Sequence, residues 1–412
     1  MSEPAVLRIF VVILLLSSIG ASLGAIFYPL VVAVLLLCLT IYTVGIFPVR
    51  LRVHGIVVIL MLNFVYWFIN LLFISPMPLA KWLDFEFVRY GFRIYLSYIP
   101  IIVLGGINLQ CAERYARYFY EFLTKMSAVV AGVGLVQYLT NLTLPFLPVQ
   151  LVRGGTFVAL QVTRNPTGVF YLTSTLLMLG VMTRRGVGFG DLIFFSLNFV
   201  GVILTLSRAA VLALVLVSFY HIVLRGWRGA RRRAVGLGVI ILLLCVVGAL
   251  AVPSLIPRVT TIVNLGEANI ADRIDLYRGA LDAFASQPLF GIGFYYFGTF
   301  YRGGLTTHAH NSYLQFMAEL GIVGFFLFFW FWFVFLWVLR RNMSCWNTMS
   351  FAYGYLDGVW LATLGLGVTS LFEHNVASPT IMVPFTCLMG VSIWLRGPRE
   401  YRLDGADPNG SD

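Results

Sequence analysis

Apolar runs of about twenty residues recur along almost the whole chain, separated by short polar segments. They predict about twelve spanning helices, at 7–23, 25–47, 54–75, 94–110, 122–140, 166–183, 191–206, 209–224, 234–252, 311–339, 351–373 and 378–396. The first run reads as a retained helix: it has only Arg8 before it and no small-residue cleavage site. Between spans nine and ten, 253–310 is too long to be a connector. Inside it, Ile270, Ile274, Tyr277, Leu281 and Phe284 form one apolar stripe at helical spacing, which predicts a helix lying along the membrane surface.

One run is too long for a single span. From Leu192 to Leu224 the chain is almost wholly apolar, and at ~1.5 Å per residue that stretch measures near 50 Å against a hydrocarbon core of about 30 Å. Two short helices meeting at Ser207-Arg208 account for it.

Composition supports lipid as the solvent. The chain is 60% hydrophobic and 11% charged, where a soluble domain carries roughly 25% charge. The net charge of +11 sits in short basic clusters between spans, without the aromatic-interleaved groove that nucleic acid requires. With the N-terminus inside, about 18 of the 28 basic residues fall on the cytoplasmic side, the bias expected of a multi-pass membrane protein. The five cysteines form no disulfide framework and no CxxC pair. The expected fold is therefore an all-α integral membrane protein: one domain over 1–396, with a helical outer region at about 253–310, and a polar, disordered tail at 397–412.

This topology gathers the chemically capable residues on one outer face. Arg208 interrupts the long apolar run and reads either as a snorkelling side chain or as an anion ligand at head-group level. Arg273 occupies the apolar stripe of its helix and either pairs with a carboxylate or binds a ligand. Arg153, in Val152-Arg-Gly-Gly-Thr-Phe157, and Arg164, in Thr163-Arg-Asn-Pro166, add two more cations. His308 and His310, in Thr306-Thr-His-Ala-His-Asn-Ser-Tyr313, open a long apolar span and suit acid–base work, because imidazole titrates near neutrality. A third metal ligand at convincing spacing is missing, so no metal site is expected. Glu373-His374-Asn375 closes the next span and either orients the site or caps a helix. His54 and His221 fall at inner span ends and read as structural.

At these residues the chain resembles the O-antigen ligase and polymerase superfamily. His310-Asn311 is followed after nine residues by Gly321 and after two more by Gly324, as in the ligase signature. Arg153-Gly-Gly-Thr-Phe157, Ser207-Arg208, Arg273 with Tyr277, and Pro288-Leu-Phe-Gly291-Ile-Gly293 follow the family in order, although Thr167 stands where relatives often carry Asn.

The resemblance implies a GT-C-like glycosyltransferase of the bacterial inner membrane with its active site facing the periplasm. Its donor would be a glycan on undecaprenyl pyrophosphate, its acceptor lipid A–core, and it would need no cofactor or metal. In that reading His310 is the general base, and Arg208 and Arg273 are the catalytic cations on the pyrophosphate. Arg153, Arg164, His308, Asn311, Tyr313, Tyr277 and His374 bind substrate. Single displacement would invert the anomeric carbon. An O-antigen polymerase joining lipid-linked repeat units is the alternative within the family, and a non-enzymatic lipid-glycan flippase the alternative outside it.

Overall fold

The computed structural model describes residues 54–76, 112–140, 164–225, 268–302 and 308–396, the strand residues 152–153 and 156–157, and isolated positions at 94, 97–98, 100–102, 104, 236 and 238–239. The described residues are helical apart from connecting turns and one short antiparallel ladder. The predicted spans at 7–23 and 25–47 lie outside them, as does 234–252 apart from 236 and 238–239.

The chain runs α1 (Gly55–Phe73), α2 (Ala112–Thr140), the ladder β1 (Val152–Arg153) and β2 (Thr156–Phe157), α3 (Arg164–Arg185), α4 (Phe189–Leu204) and α5 (Arg208–Phe219). A π-helical turn, Tyr220–Arg225, continues α5. Then follow α6 (Ala268–Ser286), α7 (Phe297–Arg302), α8 (Ser312–Ser344), α9 (Phe351–Thr369), a 3-10 turn at Asn375–Ala377 and α10 (Pro379–Trp394). Among the described residues, four helices are long and apolar enough to cross a membrane: Gly55–Phe73, Ala112–Gln137, Arg164–Arg185 and Ser312–Ser344. Phe189–Leu204, Arg208–Leu224 and Ile381–Trp394 are shorter apolar helices.

Most boundaries follow the hydrophobic pattern, and the departures have local causes. Helix α2 begins ten residues before the expected 122, because its polar first turns are laced by the i,i+4 pairs Arg117–Glu113 at 2.7 Å and Lys125–Glu121 at 2.9 Å. The long apolar run breaks where its length required: α4 ends at Leu204, Leu206 adopts φ 52°, and α5 starts at Arg208. Helix α9 stops at Thr369, four residues before the expected end, which leaves Glu373 in a turn.

Two pieces of packing position the site. Helices α3 and α9 cross in backbone contact at Gly180 and Gly358, where a Cβ on Gly358 would meet the Leu177 carbonyl at 2.5 Å. Gly354 and Gly358 form the small-xxx-small face that such a crossing needs. Beside the crossing, buried Arg184 donates to Asp357 at 3.3 Å, and His221 of the π-helical turn stands 3.8 Å from the same carboxylate oxygen.

The second piece is a break inside α8. Gly321 has φ 63° and ψ −169°, which frees backbone groups on both sides of it. The segment Pro288–Gly293 satisfies them: Ile292 and Gly293 donate to the Ala318 and Glu319 carbonyls at 2.9 and 3.1 Å, while Ile322 and Val323 donate to Pro288 and Leu289 at 2.9 and 3.3 Å. Asn70 of α1 braces this strap by donating to the Phe290 carbonyl and accepting from the Phe294 amide, both at 2.7 Å. Trp67 stacks on Phe294 and Phe316 beneath it. The two glycine-bearing motifs, far apart in sequence, are thus halves of one backbone joint.

Candidate active site

A pocket of about 240 Å³ opens where α3 and α5 begin and α9 has just ended. Its lining includes Arg164 and Asn165 of α3, Arg208 and Ala209 of α5, Arg273 and Tyr277 of α6, and Glu373 of the turn. Gly168 lets the first turns of α3 and α5 meet, since a Cβ there would lie 2.9 Å from the Cβ atoms of Ala210 and Ser207. Two helix N-termini therefore share one cavity with three guanidinium groups. Each N-terminus carries a partial positive charge and orphan amides, so the arrangement favours an anion with several oxygens. Leu206, Leu212, Ile274 and Phe372 supply an apolar remainder.

Glu373 is the hub. Its Oε1 accepts from Arg273 Nη2 and from Asn165 Nδ2, each at 2.5 Å, and its Oε2 lies 3.0 Å from His310 Nδ1. Arg273 Nη1 also donates to the Phe372 carbonyl at 2.5 Å, and one turn on, Tyr277 donates to the Leu371 carbonyl at 3.2 Å. Arg273 thus pairs with a carboxylate, yet with one from the turn after α9 and not from its own helix, where Asp275 faces Arg278. Burial works to raise the Glu373 carboxyl, but the hydrogen bond with His310 and the Arg273 charge outweigh it and hold the group below its ordinary value. An ionised carboxylate only accepts, so the proton in the His310 contact sits on Nδ1 and the lone pair on Nε2.

His310 is held in an unusual backbone conformation, φ 53°, immediately before α8. Strain of this kind persists only where neighbours over-determine the chain. Here Asn311 caps α8 by accepting from Tyr313 and Leu314 at 2.9 and 3.1 Å. Ser312 donates from its amide to the Ser370 carbonyl at 2.8 Å and from its hydroxyl to the Glu373 carbonyl at 3.0 Å. On the other side, Gln315 accepts from the Ala309 amide and donates to buried Glu319, both at 2.6 Å.

Three imidazoles cluster there. His308 lies 4.6 Å from His310 and 6.1 Å from His374, ring centre to ring centre, and His374 also meets Phe316 edge-on. Burial and the neighbouring imidazole charge push His308 down to about 4. Burial, then His308 and His310, push His374 down to about 3. Among the described residues, no three His, Cys, Asp or Glu side chains are arranged to hold a metal ion.

The structure therefore brings Arg164, Arg208, Arg273, Tyr277, His308, His310 and His374 into one neighbourhood. Asn311 hydrogen-bonds within its own helix start, and Tyr313 donates to the Gly367 carbonyl at 2.9 Å while stacking on Phe329. Arg153 lies in β1, and its side chain is outside the described residues. Glu373 belongs to the Glu373-His374-Asn375 motif, for which the sequence leaves site orientation and helix capping equally open; Asn165 carries no site signal in the sequence beyond its place beside Arg164.

Residues 193–329 match a family model described as O-antigen ligase. The match covers about a third of the chain and supports the O-antigen ligase superfamily. It contains Arg208, Arg273, His308, His310, Gly321 and Gly324, whereas Arg164, Asn165 and Glu373 come from outside it. The O-antigen ligase family also covers related polymerases, and its members are membrane glycosyltransferase-like enzymes acting on lipid-linked glycans. No curated protein matches the chain.

Proposed function

We propose that the protein is an O-antigen ligase of the bacterial inner membrane, transferring a glycan from undecaprenyl pyrophosphate to lipid A–core at the periplasmic face. The observation that carries this reading is the convergence of Arg164, Arg208, Arg273 and two helix N-termini on a pocket whose single described carboxylate, Glu373, contacts His310.

The charges match the chemistry. Three guanidinium groups and one carboxylate leave an excess of two positive charges, which suits the two negative charges of a pyrophosphate diester. In the reaction, His310 Nε2 takes the proton from an acceptor hydroxyl, and that oxygen bonds to the anomeric carbon from the face opposite the pyrophosphate. The carbon–oxygen bond to pyrophosphate breaks, and the lipid pyrophosphate departs with one further negative charge. The proton now on His310 supplies the balancing positive charge. Single displacement inverts the anomeric carbon.

Fixed guanidinium groups stabilise the developing charge in the role that a divalent ion fills elsewhere, so transfer needs no metal. Arg153 and the apolar side of the pocket belong to donor binding in this account, and His308 and His374 to the acceptor side. The periplasmic placement rests on the distribution of basic loops.

The test is a transfer assay. Purified protein is incubated with a lipid-linked glycan and either lipid A–core or a second lipid-linked glycan. Product on lipid A–core is expected. A lengthened lipid-linked glycan without it would make the protein a polymerase, and no glycan transfer to either would overturn the enzymatic reading.

A further inference from the structure

We propose that Glu373 is a positioning residue that couples donor occupancy to activation of His310, so that the donor binds before the acceptor is deprotonated. The inference rests on the glycosyl-transfer reading above. It follows from how the two carboxylate oxygens are divided. Oε1 holds Arg273 and Asn165, and Oε2 holds His310. The Arg273 guanidinium has Glu373 as its anionic partner, with the charge of the carboxylate drawn towards Oε1.

A pyrophosphate entering among Arg164, Arg208 and Arg273 competes for that guanidinium. Arg273 need not move, because its other arm is fixed on the Phe372 carbonyl and Tyr277 ties the same helix to Leu371. Its field is then shared between two anions, and more of the Glu373 charge is left to the proton on His310 Nδ1. Charge-assisted hydrogen bonds are roughly twice as strong as neutral ones, so this redistribution strengthens the pull of Nε2 on an acceptor hydroxyl. The site thus gains its base when the donor arrives, and an empty pocket does not activate water.

The coupling makes an unusual split prediction for Glu373→Gln. Removing the competing charge frees Arg273, so the donor KM should fall by about fivefold. Losing the carboxylate behind His310 should lower kcat by about 10- to 100-fold. A merely structural carboxylate would weaken donor binding and thermal stability together. Glu373→Asp keeps the charge but cannot span both partners, so it should retain the wild-type donor KM while kcat falls. It carries the test if the glutamine variant does not fold.

Steady-state transfer, with a lipid-linked glycan varied against acceptor, reads both parameters. The coupling is overturned if either variant keeps wild-type kcat, or if Glu373→Gln weakens the donor in step with its turnover. Arg208→Gln serves as the reference. If that variant loses donor binding while the Glu373 variants match wild type, the coupling alone fails. If wild-type protein transfers no glycan, the underlying reading fails as well.

Discussion

Helix α3 has an arginine site at each end, and the two ends differ in kind. The helix from Arg164 to Arg184 separates them by about 30 Å. At the far end Arg184 and Asp357 are 2% and 0% exposed and pack against the α3–α9 crossing, with the Arg184 guanidinium over Tyr353. At the pocket end Arg273 and Glu373 are 28% and 11% exposed, and Arg164 and Arg208 line the same cavity. The first is a sealed ion pair that holds helices together. The second is an open site with guanidinium in excess, which is what an anionic ligand needs. An arginine among apolar residues is therefore read by its surroundings: the enclosing side chains and the balance of charge separate a bolt from a binding group.

Substitutions can break the comparison at either end. The largest effect on chemistry is expected from His310→Ala, which removes the base and should lower transfer by about 10²–10⁴-fold, with only a small loss of thermal stability from the lost contact with Glu373. Arg208→Gln should follow, at about 10²–10³-fold in turnover, again without loss of fold. Arg184→Gln should do the reverse. It leaves Asp357 buried without its guanidinium and should cost about 3–5 kcal/mol of stability, seen as a lower unfolding temperature in detergent, while any folded fraction transfers normally.

Part of this contrast was legible in the sequence. The break before Arg208 followed from length alone, since no single helix of that run fits a bilayer. The helix over 270–284 followed from periodicity and stands in α6, but its buried face runs through Leu276, Ala280 and Ala283 and leaves Leu281 of the expected stripe exposed. What stayed hidden depends on contacts between distant segments. The sequence leaves Glu373 open between a helix cap and a group that orients the site, and only the end of α9 at Thr369, which turns it towards His310 and Arg273, decides between them. The break in α8 is invisible because Gly321 lies in an apolar run, and only the opposing Pro288–Gly293 strap shows why glycine stands there. Arg184 reads as one of two loop cations, although its side chain is buried against Asp357. The twelve-span count extends beyond the described residues.

Smaller effects sharpen the pocket end. Half-buried His308 stays neutral in the folded protein down to about 4, whereas an ordinary imidazole takes a proton near 6.5. The unfolded chain then binds the proton first, so the stability contributed by neutral His308 is present above about 6.5 and is lost as pH falls through that window. Glu373 acts in the same direction lower down: its depressed carboxyl stabilises the fold above the ordinary carboxylate value of 4.5 and loses that contribution as the pH drops below it. Unfolding temperature should therefore decline on acidification, and His308→Gln should flatten the upper part of that decline. The smallest expected effect is none at all: EDTA should leave transfer unchanged, and EDTA-sensitive transfer restored by a divalent ion would show that the arginines do not suffice.

The most direct test of the central claim is equilibrium binding of a lipid-linked pyrophosphate glycan, in detergent, to the wild-type protein and to Arg164→Gln, Arg208→Gln and Arg184→Gln variants that remain folded. Loss of at least about tenfold in affinity for the first two, with Arg184→Gln binding like wild type, is the predicted result. Equal binding by all four proteins would place the pyrophosphate elsewhere and contradict the account.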